Sequence, residues 1–278
     1  MSTTPRTSDF PYIHGFSNTE QERLRKQARF SEQIVYRDID FSGVNSVLEV
    51  GCGVGAQTEV LLRRFPNIQI TGIDFSPTQL AAARANLATL PQNAGRYELQ
   101  QMDATNMSFK ARSFDGAFLC WVLEHVPNPV HVLSEVRRVL KPGARVFITE
   151  VMNSSFFLDP YSPNLHKYWM AFNDYQLEVG GDPFVGAKLG NMLLALGYHD
   201  VRTEIKTWHL DNRNPDKRQE IIAYWTELLL SASDQLIEST EDVTPELVEK
   251  MTEELQRVQS DPNAVFFYSF VQATATVY

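Results

Sequence analysis

The chain has 278 residues, 43% hydrophobic and 21% charged, enough to bury one large core or one core with a cap. Its 25 basic and 34 acidic residues leave a formal charge of −9, which argues against a sequence-independent grip on nucleic acid phosphates. No apolar run reaches bilayer-spanning length, Met1 to Asp9 is polar, and Cys52 and Cys120 alone make no disulfide framework. A cytoplasmic protein without membrane or nucleic acid partners is therefore expected; its oligomeric state is not legible.

In chain order, Tyr12-Ile13-His14-Gly15-Phe16-Ser17 leads into a predicted helix over Thr19 to Ser31. Beyond it, short β-branched runs alternate with helical stretches, the pattern of a parallel sheet wrapped by helices. The predicted strands are Ser46 to Val50, Gln69 to Ile73, Tyr97 to Gln101, Gly116 to Cys120 and Arg145 to Glu150. Between them lie helices over Gln57 to Phe65, Pro77 to Leu90 and Pro129 to Leu140, the last stopped by Lys141-Pro142-Gly143.

After Glu150 an aromatic segment with Phe156, Tyr161, Tyr168, Trp169, Phe172 and Tyr175 reads as a cap. Helical pattern returns at Val185 to Leu196, then a strand over Asp200 to Lys206, helices near Lys217 to Leu236 and Pro245 to Val258, and a strand over Ala264 to Thr274 that should pair with the previous one. Asp211 to Asp261 holds 13 acidic against 5 basic residues, so nearly all the net charge falls on what reads as a solvated helical face.

The first strand breaks into Gly51-Cys52-Gly53-Val54-Gly55, where glycines let the backbone turn sharply and approach a ligand at a helix N-terminus. Alone this is weak, because such turns also join strands to helices without a ligand. The second strand ends in Asp74, 19 residues beyond Gly55, followed by Phe75; a carboxylate there can accept from both hydroxyls of a ribose. The third strand runs into Met102-Asp103-Ala104, an acid for an exocyclic amine flanked by apolar surface for a ring. The fourth ends in Cys120-Trp121, followed by Leu123-Glu124-His125. Four strand tips should converge on one crevice.

In this order and spacing, EVGCGVG, IDFS, MDA, SFDGAFLCWVLEHV and RVLKPGARVFITE resemble the class I S-adenosylmethionine-dependent methyltransferases over about Leu48 to Glu150. The resemblance implies a Rossmann-like, seven-stranded α/β sheet with helices on both faces, ending in an antiparallel pair, plus a helical cap. Residues 1–40 would be a lid, 41–150 the S-adenosylmethionine-binding core, and 151–278 the cap helices and final strands. It further implies that Gly51, Gly53 and Gly55 line the cofactor, Asp74 holds its ribose, and Asp103 with Ala104 meets adenine. Glu49 would hold the glycine loop's amides or meet the cofactor's ammonium through water. Phe75, Cys120 and Trp121 join this set. The opening YIHGFS is similar to that of small-molecule methyltransferases, whose N-terminal segment covers the cofactor; Tyr12, His14 and Phe16 would then cover it, with Arg29 or Gln27 near its amino acid end. Packing of these aromatics onto the sheet is the alternative.

Methyl transfer requires an acceptor held about 3 Å from an activated carbon and shielded from water, and no metal. Where the acceptor carries a proton, His125, His14, Glu150 and Tyr12 are the candidate groups, although His125 also suits a helix start and Glu150 the fixing of the cap. Tyr161, His166 and Tyr175 are candidate substrate contacts, with packing in a cap helix as the alternative. A nicotinamide dehydrogenase shares the strand, loop and acid, but its third glycine follows the second by three residues rather than two. Attack on the cofactor's aminobutyryl arm, or cofactor sensing without turnover, are the other functional alternatives.

Overall fold

The computed structural model describes residues 12–278, so residues 1–11 of the expected lid lie outside the described residues. The helices are α1 (Asn18–Val35), α2 (Ala56–Arg64), α3 (Pro77–Ala88), α4 (Pro129–Val139), α5 (Pro163–Glu178), α6 (Leu189–Ala195), α7 (Pro215–Ser231), α8 (Ser233–Ser239) and α9 (Pro245–Ser260). Their starts are written locally. Proline at the first position follows a capping side chain in α3, α4 and α9: Ser76, Asn128 and Thr244 accept from the amides of Gln79, His131 and Leu247 at 3.3, 3.0 and 3.2 Å. Proline lacks the N–H that a helix start leaves unpaired, and the cap satisfies another.

The strands are β1 (Ser46–Val50), β2 (Gln69–Asp74), β3 (Tyr97–Gln101), β4 (Phe114–Cys120), β5 (Leu140–Val151), β6 (Phe157–Asp159), β7 (His199–Leu210) and β8 (Val265–Thr276). The sheet order is β3-β2-β1-β4-β5-β8-β6, with β7 on the other edge of β8. β3 through β5 are parallel, and β8 runs antiparallel to β5 and β7. Side chains alternate across this sheet. Val47, Ile70, Phe118, Phe147 and Phe270 enter one apolar layer, while Leu48, Ile73, Leu119, Ile148 and Val271 enter the other. The first layer is closed by residues of α2, α5, α7 and α9, the second by residues of α4 and α6. Each large aliphatic or aromatic side chain so buried contributes roughly 1.5–3 kcal/mol.

Eight strands are present where seven are expected. β8 extends past the end of β5, and its residues Val265 to Phe267 take their partner from the short β6 on that edge. β7 runs on to Leu210, four residues beyond the expected end, because β8 offers it a ladder over that whole length. The helix expected from Lys217 to Leu236 is interrupted at Ala232 between α7 and α8, and the first turn of the one expected from Val185 is a 3-10 turn. Among the described residues no helix is long and apolar enough to cross a membrane. The chain leaves β1 towards β2 on one side while β4 lies on the other, so a crevice opens at the carboxyl ends of the strands.

Candidate functional site

The glycine loop folds back on β2: the amides of Gly51 and Cys52 both donate to the carbonyl of Ile73, at 2.8 and 3.0 Å. Gly51 has φ +69, and a Cβ there would lie 2.5 Å from Cγ2 of Val122, so only glycine fits. The Gly53 amide donates to Asp74 Oδ2 at 2.9 Å, and the Ser76 amide to Asp74 Oδ1 at 2.9 Å. Asp74 thus ties the two loops together while keeping a lone pair on each oxygen for further donors. Burial raises its pKa, and the amides of Ser76, Gly53 and Phe75 oppose that shift.

The loop, Asp74, Phe75, the segment Met102 to Thr105 and the turn Cys120 to Val122 surround a cavity with about 1230 Å³ of empty space, part of it open to solvent. Asp103 Oδ1 accepts from the amide and hydroxyl of Thr105 at 2.8 and 2.7 Å, which fixes the rim. Trp121 has φ +56, a left-handed conformation costly for an aromatic residue, and its amide donates to the Thr149 carbonyl at 2.8 Å. The strained backbone turns the chain at the sheet edge.

A second cavity, with about 610 Å³ of empty space, part of it open to solvent, shares Tyr12, Leu24, Gln27, Trp121 and His125 with the first. All four tryptophans of the chain, Trp121, Trp169, Trp208 and Trp225, line it. Its polar groups come from several separate elements. α1 supplies Arg23, which donates from Nε and Nη2 to the two oxygens of Glu20 at 2.7 and 2.6 Å and from Nη1 to the Tyr224 hydroxyl. The Tyr12 hydroxyl donates to Glu20 at 2.9 Å.

His14 is buried, with Nδ1 2.8 Å from Ser231 Oγ. The single Ser231 hydroxyl proton goes to the Leu228 carbonyl at 2.7 Å, so Nδ1 of His14 is the donor and Nε2 carries the lone pair. Burial, then Arg23 and His125, hold the His14 pKa well below the usual imidazole value.

Two expected site carboxylates lie behind the cavities rather than in them. Glu150 is fully buried and accepts from the amides of Val122 and Leu123 at 3.0 and 2.8 Å, so it holds the Trp121 turn instead of facing an acceptor. Burial and then Glu124 push its pKa up to about 8. Glu49 accepts from the Thr58 hydroxyl of α2 at 2.6 Å and lines neither cavity; burial lifts its pKa to about 8. The pleat turns Glu49 towards α2, so its hydrogen bond is to Thr58 rather than to the amides of the glycine loop.

Gly51, Gly53, Asp74, Phe75, Asp103, Ala104, Cys120, Trp121, Tyr12 and His125 do line the first cavity, and His14 the second. Gly55 stands behind, at φ +75 as the N-cap of α2. Arg29 is exposed; the inward stripe of α1 is Glu20, Arg23, Ala28 and Ser31, so Gln27 and not Arg29 reaches the cavities. The cap residues are corrected too. Tyr161 is 73% exposed beside the exposed His166, while Tyr175 is buried but bonds Ser239 and Gln235, and none of the three lines a cavity. α5 instead presents Trp169 and Phe172. Sequence reasoning missed Glu124, Tyr224, Trp225 and Tyr268, and the Glu20–Arg23 pair. Only the last left a signal, as two charges on the inward stripe of an amphipathic helix.

Residues 48–148 match the family model of a methyltransferase domain. That segment is a methyltransferase domain of the class I S-adenosylmethionine-dependent kind. An O-methyltransferase of Penicillium expansum is 31% identical over 166 residues, 58% of this chain and 56% of that protein. A demethylmenaquinone methyltransferase of Desulfitobacterium hafniense is 34% identical over 130 residues, 46% of this chain and 49% of that protein. The chain thus spans about half the length of these curated relatives. Among solved structures, phosphoethanolamine N-methyltransferase 2 of Haemonchus contortus in complex with S-adenosyl-L-methionine superposes with a TM-score of 0.57 at 19% identity, covering 90% of this chain and 52% of that one. The [4+2]-cyclase SpnF superposes at 0.51 with 20% identity, covering 92% and 81%. Both are likenesses of fold.

The cofactor of this family is S-adenosylmethionine, and the first cavity fits it. A turn at Gly51 that no side chain could enter, a carboxylate at Asp74 with free lone pairs, and apolar walls at Phe75, Met102 and Ala104 are what an adenosyl group requires.

Proposed function

We propose that the protein transfers a methyl group from S-adenosylmethionine to a small-molecule O- or N-acceptor held in the second cavity. The observation that carries this is the common lining: Tyr12, Leu24, Gln27, Trp121 and His125 belong to both cavities, so the two lie side by side at those residues. In this reading residues 41–150 bind the cofactor, 151–278 form the acceptor cap and final strands, and the segment before 41 closes over both.

When bound, the cofactor supplies a methyl carbon activated by a sulfonium. Asp74 accepts from the ribose hydroxyls, Asp103 and Ala104 flank the adenine, and the walls around Trp121 and Tyr12 exclude water from the junction. His14, neutral and fixed as a donor at Nδ1, takes the acceptor's proton at Nε2. Glu150 positions the turn that carries Trp121.

The test incubates the protein and S-adenosylmethionine with a panel of small phenols, quinols and amines, resolving the products by mass spectrometry. S-adenosylhomocysteine formed one-for-one with a methylated acceptor is expected. Methylthioadenosine would assign the aminobutyryl arm as the reacting group, and tight binding with neither product would make the protein a sensor.

A further inference from the structure

The second cavity has a chemical character of its own. Trp169 stacks on Phe172 with ring centroids 5.4 Å apart and lies 6.1 Å from Trp225, which is 4.7 Å from Tyr268; Tyr268 in turn is 6.2 Å from Trp208. The rings form one continuous wall. Charge within it is unbalanced. Arg23 is the guanidinium of the lining, and the bidentate pair with Glu20 offsets its charge. Its Nη1 is occupied by Tyr224, so the fork that would recognise an anion is already filled.

Glu124 remains. It is 8% exposed, with Oε2 accepting from Gln176 at 3.2 Å and Oε1 3.6 Å from Nε2 of His125. The other titratable groups around it are the imidazoles of His14 and His125, the hydroxyls of Tyr12, Tyr224 and Tyr268 and, behind the lining, the buried carboxyl of Glu150. Among the described residues no lysine or arginine pairs with Glu124, so its carboxylate stands inside a ring of aromatic faces with only the His125 imidazole beside it.

Aromatic faces attract cations, most strongly where water is excluded, and a surplus buried carboxylate is stabilised by a cation beside it. We propose that this cavity binds a positively charged amine, so that the substrate is an amine-bearing small molecule whose ammonium sits among the tryptophans and Glu124. This rests on the second cavity being the acceptor site and names the class of acceptor: the ammonium anchors the molecule, and the methyl goes to another O or N atom of it that carries a lone pair. A carboxylate, phosphate or neutral polyol would find no uncompensated cation here.

Every tryptophan lines the cavity and of these only Trp121 also lines the first, so with the first cavity filled intrinsic fluorescence reports chiefly on the second. The full chain, with and without saturating S-adenosylhomocysteine, is titrated with choline and with 3,3-dimethylbutan-1-ol, the uncharged isostere. The expected result is a fluorescence change with choline at about tenfold lower concentration than with the alcohol, from cation–π attraction and the carboxylate together. Glu124→Gln should bring the two probes within about twofold of each other, and Trp208→Leu, which leaves three reporter indoles, should lower the ratio as well. Equal binding of the two probes by the unaltered chain, or a ratio that survives both substitutions, overturns the proposal. Calorimetry with S-adenosylhomocysteine keeps the readings separable: cofactor binding without choline preference removes only the amine site, whereas choline preference without cofactor binding removes the methyl-transfer reading.

Discussion

Replacing Asp74 with alanine perturbs the cofactor cavity and the loop that frames it in one step. The carboxylate accepts the Gly53 and Ser76 amides at 2.9 Å each and keeps one lone pair per oxygen for the ribose hydroxyls. Hydrogen bonds to a charged group are worth about 1.5–3 kcal/mol net, and burial of Asp74 offsets part of two such bonds, so the expected loss of cofactor affinity is about 1.5–3 kcal/mol, roughly 10- to 150-fold in Kd. The fold also pays, since an orphaned buried amide costs about 1–3 kcal/mol, and each kcal/mol lowers Tm by roughly 2–4 °C in a chain near this size. Asp74→Asn keeps one carbonyl oxygen but turns an NH2 towards a backbone N–H, and should fall between the two. Calorimetric titration with S-adenosylhomocysteine gives the affinity and circular dichroism the Tm. An Asp74→Ala protein with native Tm and unchanged Kd refutes both halves of this reasoning.

Glu150 makes stability depend on pH in an uncommon direction. Its folded pKa of about 8 lies above the ordinary 4.5, so between those values the folded chain retains a proton that the unfolded chain has released. Stability therefore falls as pH rises through that window, by about 1.4 kcal/mol per pH unit for one group. Glu150→Gln, whose carbonyl still accepts the Val122 and Leu123 amides, should flatten the curve; denaturant titrations giving parallel curves for both proteins would refute this. Glu49 contributes equally to both and cancels. His14→Gln should lower kcat by about 10² to 10⁴ with cofactor affinity unchanged, as for loss of a general base. The acid limb of the unaltered enzyme's pH profile should lie below the usual imidazole value, because the His14 pKa is depressed. Native kcat in the variant, measured as S-adenosylhomocysteine release, would remove His14 from the chemistry.

Periodicity and turn chemistry are local properties, and they carried the sequence reading as far as the cofactor cavity. The alternation of Val47 with Leu48 or Phe118 with Leu119 declares strands buried on two faces, and Pro77, Pro129 and Pro245 mark helix starts through a missing N–H. Gly51, Gly53, Asp74 and Asp103 are legible for the same reason: they sit at or just beyond the ends of β1, β2 and β3, and parallel strands bring their ends together whatever follows.

The acceptor cavity was decided elsewhere. His14, Glu124, Trp169, Trp208, Trp225 and Tyr268 come from six separate stretches of chain, and nothing in any one stretch separates a packing tryptophan from a cavity wall. Tyr161 and Trp169 both belong to the aromatic cap segment, yet only Trp169 lines a cavity, because Trp169 sits on the buried face of α5 while Tyr161 lies in the exposed stretch before that helix begins. Glu150 shows the same limit, since its place at a strand end was readable but only the packed turn of Val122 and Leu123 over its oxygen made it a support for the backbone. Local sequence therefore determined the sheet and the residues at its carboxyl edge, and tertiary packing of distant segments decided the shape and charge of the cavity beside it.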